Sequence, residues 1–333
     1  MKTSPFTVPV IDIAPLVHAT GDPQAVATQL HAACRESGFF YISGHGIDAA
    51  LMARLYDLSV QFFAFPEAEK LNIRMALGGR AWRGFFPVGE ELTSGKPDRK
   101  EGLYFGTELG PEDLRVQAKL PMHGPNLFPA DPPGLRDTVL EYMQALTFLG
   151  HRLMEGLSLS LGLPATFFAD RYTRDPLTLF RIFHYPPEPP GDAAMPWGVG
   201  EHTDYGVLTI LLQDPVGGLQ VKSGGQWIEA PYIEGTFVCN IGDMLERMTG
   251  GYYRSTPHRV RNLSGRGRLS FPFFFDPNFD VQIKAIDLSR AAVYDAPEAR
   301  WDSASVHDFE GTYGDYVLGK VAKVFPQLRR EVE

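Results

Sequence analysis

Two imidazoles and one carboxylate stand where they could share a metal ion. His202-Thr203-Asp204 precedes the apolar run 207–212, and in an extended segment residues i and i+2 point to the same face. His202 and Asp204 therefore aim two ligand atoms at one point. The candidate third ligand is His258, which follows Ser255-Thr256-Pro257 and opens another short β-rich run. Two His and one Asp make a facial triad with open coordination positions, the donor set of non-haem Fe(II) centres that work with O2. By itself a His-x-Asp is more often a turn with a capping Asp beside a surface His. The weight comes from Arg268-Leu269-Ser270, shortly after His258. On a strand Arg268 and Ser270 share a face, and a guanidinium with a hydroxyl makes a two-point clamp for a carboxylate. That geometry suits the far carboxylate of 2-oxoglutarate while its keto-acid end chelates iron. His18, His31, His123, His151 and His307 have no carboxylate in a comparable setting and read as structural. His184 reads the same way, because this chemistry needs no general base.

Ligands so far apart in sequence require a frame that returns the chain to one place. After Pro176 the chain reads as short strands at 177–185, 207–213, 219–221, 226–229, 236–240, 258–260 and 268–275, with Gly-Gly or Pro in the turns. Many short strands at near-regular spacing predict a double sheet or barrel such as a jelly roll. Helices are predicted over 23–36, 48–63, 135–161 and 312–324. In the third of these, Leu135, Val139, Met143, Leu146, Leu149, Leu153 and Leu157 recur at steps of three and four, and Gly162 stops it. Residues 80–133 are rich in Gly and Pro and read as long loops with short strands; 80–106 is the expected lid. Phe273 and Phe275, on the clamp strand, are the expected apolar wall.

Of the 333 residues, 44% are hydrophobic and 21% charged, enough for a sizeable core in one large domain or two packed ones. A net charge of -9 argues against a nucleic-acid partner. The basic cluster Arg254, Arg259, Arg261, Arg266 and Arg268 reads as a solvated strand pair, Arg268 apart. No long apolar run suggests a membrane span, and Met1–Pro9 lacks the pattern of a secretory signal. Cys34 and Cys239, far apart in apolar contexts, are expected to be buried free thiols in a reducing cytoplasm. Oligomeric state leaves no mark in the sequence.

The motifs together resemble the isopenicillin N synthase-like family of Fe(II)/2-oxoglutarate oxygenases, over nearly the whole chain. Val8-Pro-Val-Ile-Asp-Ile13 and Ser37-Gly-Phe-Phe-Tyr-Ile-Ser-Gly-His-Gly46 resemble its N-terminal region. His202-Thr-Asp204, Gly218-Leu-Gln-Val221, Asn240-Ile-Gly-Asp243, Ser255-Thr-Pro-His-Arg-Val260 and Arg268-Leu-Ser270 resemble its catalytic core. The resemblance implies an α+β, mostly β fold: a double-stranded β-helix (a jelly roll, cupin-like) flanked by helices. It implies an N-terminal dioxygenase region over 1–125 and a jelly-roll core over 126–333, its catalytic part at 176–282. It implies Fe(II) at His202, Asp204 and His258, with 2-oxoglutarate and O2 as co-substrates. Tyr185, in Phe183-His-Tyr-Pro-Pro187, matches a position where many members hydrogen-bond 2-oxoglutarate beside the Arg268–Ser270 clamp. Phe183 stands where an Asn is common, which removes one polar contact.

Several segments resemble ethylene-forming enzymes: Gly89-Glu-Glu-Leu-Thr-Ser-Gly-Lys-Pro-Asp98, Met122-His-Gly-Pro125, Thr173-Arg-Asp175, His202-Thr-Asp-Tyr-Gly206, Met248-Thr-Gly-Gly251 and Pro277-Asn-Phe279. That likeness implies that Glu91, Thr93, Arg174 and Tyr205 line the pocket; Phe183 and Phe275 complete the expected substrate side. Trp82, Phe85, Phe86 and Lys323 depart from those enzymes, so ethylene formation and arginine are not carried over. Arg83-Gly84 also resembles thymine hydroxylases of the same class. The expected activity is oxidation, most simply hydroxylation, of a small polar or zwitterionic molecule with release of succinate and CO2. The alternatives are a same-fold iron oxidase that does not use 2-oxoglutarate, an ethylene- and succinate-forming enzyme, a non-catalytic metal- and 2-oxoglutarate-binding sensor, and a zinc hydrolase.

Overall fold

Fourteen strands form among the described residues: β1 (Val10–Asp12), β2 (Phe39–Ser43), β3 (Gly84–Phe86), β4 (Leu92–Thr93), β5 (Lys96–Pro97), β6 (Glu101–Gly106), β7 (Leu177–Tyr185), β8 (Val199–His202), β9 (Leu208–Gln213), β10 (Leu219–Ser223), β11 (Gln226–Glu229), β12 (Phe237–Ile241), β13 (His258–Val260) and β14 (Arg268–Asp276). This computed structural model describes residues 7–93, 95–187, 197–288 and 305–325. The first six residues of the N-terminal stretch discussed above lie outside the described ones.

The strands make an eight-stranded major sheet, in the order β1-β2-β12-β9-β14-β7-β6-β3, and a four-stranded minor sheet, β11-β10-β13-β8. β4 and β5 form a separate hairpin. The fold is a double-stranded β-helix with helices packed outside it. β1, β2, β3 and β6 come from the first 125 residues, yet they extend the same sheet as the later strands.

The helix Leu135–Ser160 packs behind the major sheet. Its predicted apolar stripe is buried along its whole length, from Leu135 to Leu157. Gly150 sets the closeness: a Cβ there would lie 2.3 Å from the Phe275 ring. The helices Pro23–Glu36 and Ala49–Phe63 begin where Asp22 and Asp48 accept backbone N–H groups from Gln24 and Ala50, each at 2.9 Å. The helix Tyr313–Val324 opens on a capping box between Thr312 and Asp315. Two tyrosines tie it down: Tyr313 donates to Asp276 at 2.6 Å, and Tyr316 donates to Asp243 at 2.8 Å.

The segment 80–106 differs from the expected lid. β3 and β6 are wholly buried strands of the major sheet, because Phe85, Phe86, Leu103 and Phe105 fill core positions. Between them, β4 and β5 pair only with each other among the described strands. No helix among the described residues is long and apolar enough to cross a membrane. Cys34 and Cys239 are buried free thiols, as expected.

Candidate metal centre

β8 and β13 pair with His202 opposite His258, which brings the two imidazoles to 4.2 Å between centroids, tilted by 53°. Asp204 follows at the turn into β9. His202, Asp204 and His258 offer one ligand atom each, all within 4.8 Å of one another. His202 Nε2 lies 3.8 Å and His258 Nε2 3.7 Å from the same oxygen, Asp204 Oδ1.

Each ligand atom is presented by a fixed partner. His202 Nδ1 donates to the Gly200 carbonyl at 2.8 Å, and His258 Nδ1 donates to the Thr256 carbonyl at 3.2 Å. Those bonds select the tautomer with its free lone pair on Nε2, aimed inward. Asp204 Oδ2 accepts from Asn240 Nδ2 at 2.7 Å and from the Thr209 hydroxyl at 2.5 Å, which leaves Oδ1 for a metal. Burial and the neighbouring His258 push the His202 imidazole down to about 3, so it is neutral at pH 7. Burial works against ionisation of Asp204, but the two imidazoles, Asn240 and Thr209 outweigh it and hold the carboxyl below its ordinary range. Imidazole nitrogens with free lone pairs beside a carboxylate are the donors that bind a divalent cation.

A cavity opens from the triad between the sheets. On β14 the alternation places Arg268, Ser270, Pro272, Phe274 and Asp276 toward it. Phe271, Phe273 and Phe275 point the other way. Phe275 therefore does not line the cavity: it packs on the long helix, with its ring 4.9 Å from His151. Counting by twos from Arg268 points to Phe274.

Arg268 is 0% exposed. Its Nε donates to the Gly217 carbonyl at 2.5 Å and one terminal nitrogen lies 3.5 Å from Gln213 Oε1. The other, Nη1, is buried with no partner, and no acid pairs with it among the described residues. Ser270 donates to the Tyr185 hydroxyl at 3.3 Å, and the guanidinium lies 4.7 Å over the Tyr185 ring. An unpaired N–H on a buried cation is costly unless an anion completes it. Arg268, Ser270 and Tyr185 thus fit a carboxylate.

Glu91, Thr93, Phe183 and Tyr205 also line the cavity. Arg174 does not. It is exposed in the turn before β7, and the arginine of β7 itself, Arg181, lines the cavity with Lys100 and Arg268. Arg181 sits between the rings of Tyr104 at 4.1 Å and Phe274 at 4.9 Å, with Glu91 at 3.7 Å. Sequence reasoning passed over Arg181, although it shares strand parity with Phe183 and Tyr185. It quoted Asn240 within a motif but gave it no task, and it missed Thr209.

A β-helix whose facing sheets carry a two-His, one-Asp cluster beside a buried arginine defines a class, the non-haem iron oxygenases that use an oxo-acid. Residues 8–131 match the family described as non-haem dioxygenase in morphine synthesis N-terminal, and residues 176–277 match the 2OG-Fe(II) oxygenase superfamily. A probable iron/ascorbate oxidoreductase of Dictyostelium discoideum is 52% identical, over 92% of this chain and 91% of its own. A homoarginine-6-hydroxylase of Oryza sativa subsp. japonica is 41% identical, over 96% and 97% of the two chains. The structure of full-length Neurospora crassa T7H in complex with alpha-KG and thymine superposes with a TM-score of 0.79 at 27% identity, covering 97% of this chain and 98% of that one. The chain belongs to the 2OG-Fe(II) oxygenase superfamily, in its isopenicillin N synthase-like branch. It is a dioxygenase that uses Fe(II), 2-oxoglutarate and O2 and acts on a small molecule.

Proposed function

We propose that His202, Asp204 and His258 hold the Fe(II), that Arg268, Ser270 and Tyr185 take the far carboxylate of 2-oxoglutarate, and that the enzyme hydroxylates a small polar substrate. Iron, 2-oxoglutarate and O2 together supply the oxidising power, with succinate and CO2 as by-products. The protein's part is placement. The Nδ1 bonds of the two histidines and the Asn240 and Thr209 bonds to Asp204 hold the ligand atoms at fixed directions. Arg268 sets the reach of the co-substrate from the metal, and the apolar walls exclude water. Glu91, Thr93, Arg181 and Tyr205 would meet the substrate's polar groups, with Phe183 and Phe274 against its carbon frame.

The observation that carries this reading is the partnerless Nη1 of a wholly buried Arg268 in the same cavity as the triad. A homoarginine hydroxylase among the relatives and a thymine complex among the structural neighbours favour polar, nitrogen-rich substrates. The net charge and the enclosed site support a small-molecule partner without nucleic acid or membrane, and the buried thiols support a reducing, cytoplasmic setting. We assign residues 1–125 to an N-terminal dioxygenase region and 126–333 to the jelly-roll core.

The test is a substrate screen over amino acids, nucleobases and aromatic acids, reading succinate. Succinate formation that rises with one compound, and a hydroxylated product of that compound, are expected. O2 consumption without succinate would overturn the 2-oxoglutarate reading. A visible band should appear when 2-oxoglutarate is added to the anaerobic Fe(II) protein, and His258→Ala should lose both band and turnover.

A further inference from the structure

β8, which carries His202, is the edge of the minor sheet. β13 pairs with it on one side, and no strand among the described residues pairs on the other. An edge strand has free backbone groups, and the middle of this one is Gly200, which has no Cβ to limit it. A ligand on such a strand needs something to hold it still.

We propose that Asp98 is a positioning residue for His202, acting through Gly200; the inference rests on His202 being a metal ligand. Asp98 Oδ1 accepts the Gly200 N–H at 3.3 Å, and the next residue, Arg99, donates its N–H to the Trp197 carbonyl at 3.0 Å. Residues 98 and 99 thus run along the open side of β8. The Gly200 carbonyl is the group that orients the His202 ring, at 2.8 Å from Nδ1. One residue therefore receives the clamp and passes it to the imidazole.

Asp98 is itself immobilised. Its other oxygen accepts from Lys100 Nζ at 2.8 Å and from the Thr93 hydroxyl at 2.5 Å. Lys100 Nζ reaches Glu91 Oε2 at 2.8 Å, and Glu91 Oε1 accepts from the Tyr104 hydroxyl at 2.5 Å. All five side chains are buried. A buried ion cluster adds little stability over apolar packing of the same volume, because desolvation offsets the attraction. What it does supply is a unique geometry, and here that geometry ends on a metal-ligating strand. Partners that orient a ligand in this way are worth roughly ten- to a hundredfold in metal affinity.

Co(II) titration of the full-length protein, with its visible bands as the geometric readout, tests the assignment. Asp98→Ala should bind Co(II) about ten- to a hundredfold more weakly and shift the bands. Asp98→Asn, which keeps an acceptor oxygen, should recover most of the affinity. Lys96→Ala, at an exposed position of β5, should behave as wild type. Gly200→Pro deletes the donor, on the side of β8 away from β13, and fixes φ there; it should reproduce the loss even where Asp98→Ala does not fold. His202→Ala separates the two claims. If it binds Co(II) like wild type, the ligand assignment falls. If it loses Co(II) while folded Asp98→Ala or Gly200→Pro keeps wild-type affinity and bands, the role given to Asp98 falls.

Discussion

Arg268 has five N–H donors and no solvent, and the chain completes only part of that fork. Its partnerless Nη1 is the place where a co-substrate carboxylate adds more than a contact, because it removes a standing penalty. Truncating one partner of a buried charge pair costs about 2–5 kcal/mol, so Arg268→Ala should raise the KM for 2-oxoglutarate by roughly thirtyfold or more. Ser270→Ala removes one neutral donor, about 1 kcal/mol, and should raise it about fivefold. An unchanged KM in Arg268→Ala would remove the clamp from the account. Asp276, at the far end of the same strand, gives a pH signature. Burial lifts its carboxyl from 3.8 to about 7, against the opposing bond from Tyr313. Below about pH 4 both folded and unfolded chains hold that proton. Between about 4 and 7 only the folded chain holds it, so this group's stabilising contribution fades as pH rises through that window and is gone above it. Thermal melts of the apo protein from pH 4 to 8 should show a fall in Tm that is shallower in Asp276→Asn; parallel curves would contradict it.

β14 serves two faces at once. Its even-numbered side chains look into the cavity and its odd-numbered phenylalanines look away from it, Phe275 against the long helix and Phe271 toward Tyr56 of the helix Ala49–Phe63. The two kinds of position should fail differently. Phe275→Ala leaves a hole under Gly150, and such truncations cost about 3–5 kcal/mol, so Tm should drop while the KM for 2-oxoglutarate of the folded fraction stays put. Phe274→Ala should instead alter substrate-stimulated succinate release, because its ring supports Arg181 at 4.9 Å. A Phe275→Ala enzyme of wild-type Tm with impaired co-substrate binding would reverse these roles. The same logic explains the segment 80–106. Its Gly and Pro content suggests a mobile cover, but Phe85, Phe86, Leu103 and Phe105 need burial, and the sheet edge beyond β7 offers it.

His202 and His258 lie 56 positions apart in sequence and come to one point because the chain crosses six times between the two sheets from β7 to β14. Metal should therefore stabilise the fold as a unit. Anaerobic Fe(II) at about a hundred times its Kd should add about 2.7 kcal/mol, seen as a rise in Tm that a chelator reverses and that His258→Ala lacks. A variant lacking His258 that still responds would place the ion elsewhere. Several features belong to the chain as written. Alternation makes His202 and Asp204 neighbours on one face, and likewise Arg268 and Ser270, since period two is a local property of an extended backbone. The apolar stripe from Leu135 to Leu157 and the caps Asp22 and Asp48 mark their helices by the same local rules. Tertiary structure decided the rest. It chose Arg181 over Arg174, turned Phe275 to the helix, set Asn240 and Thr209 on Asp204, and laid Asp98 along β8. Those meetings depend on strand register and on the paths of intervening loops, and neither is encoded in the spacing of any one segment.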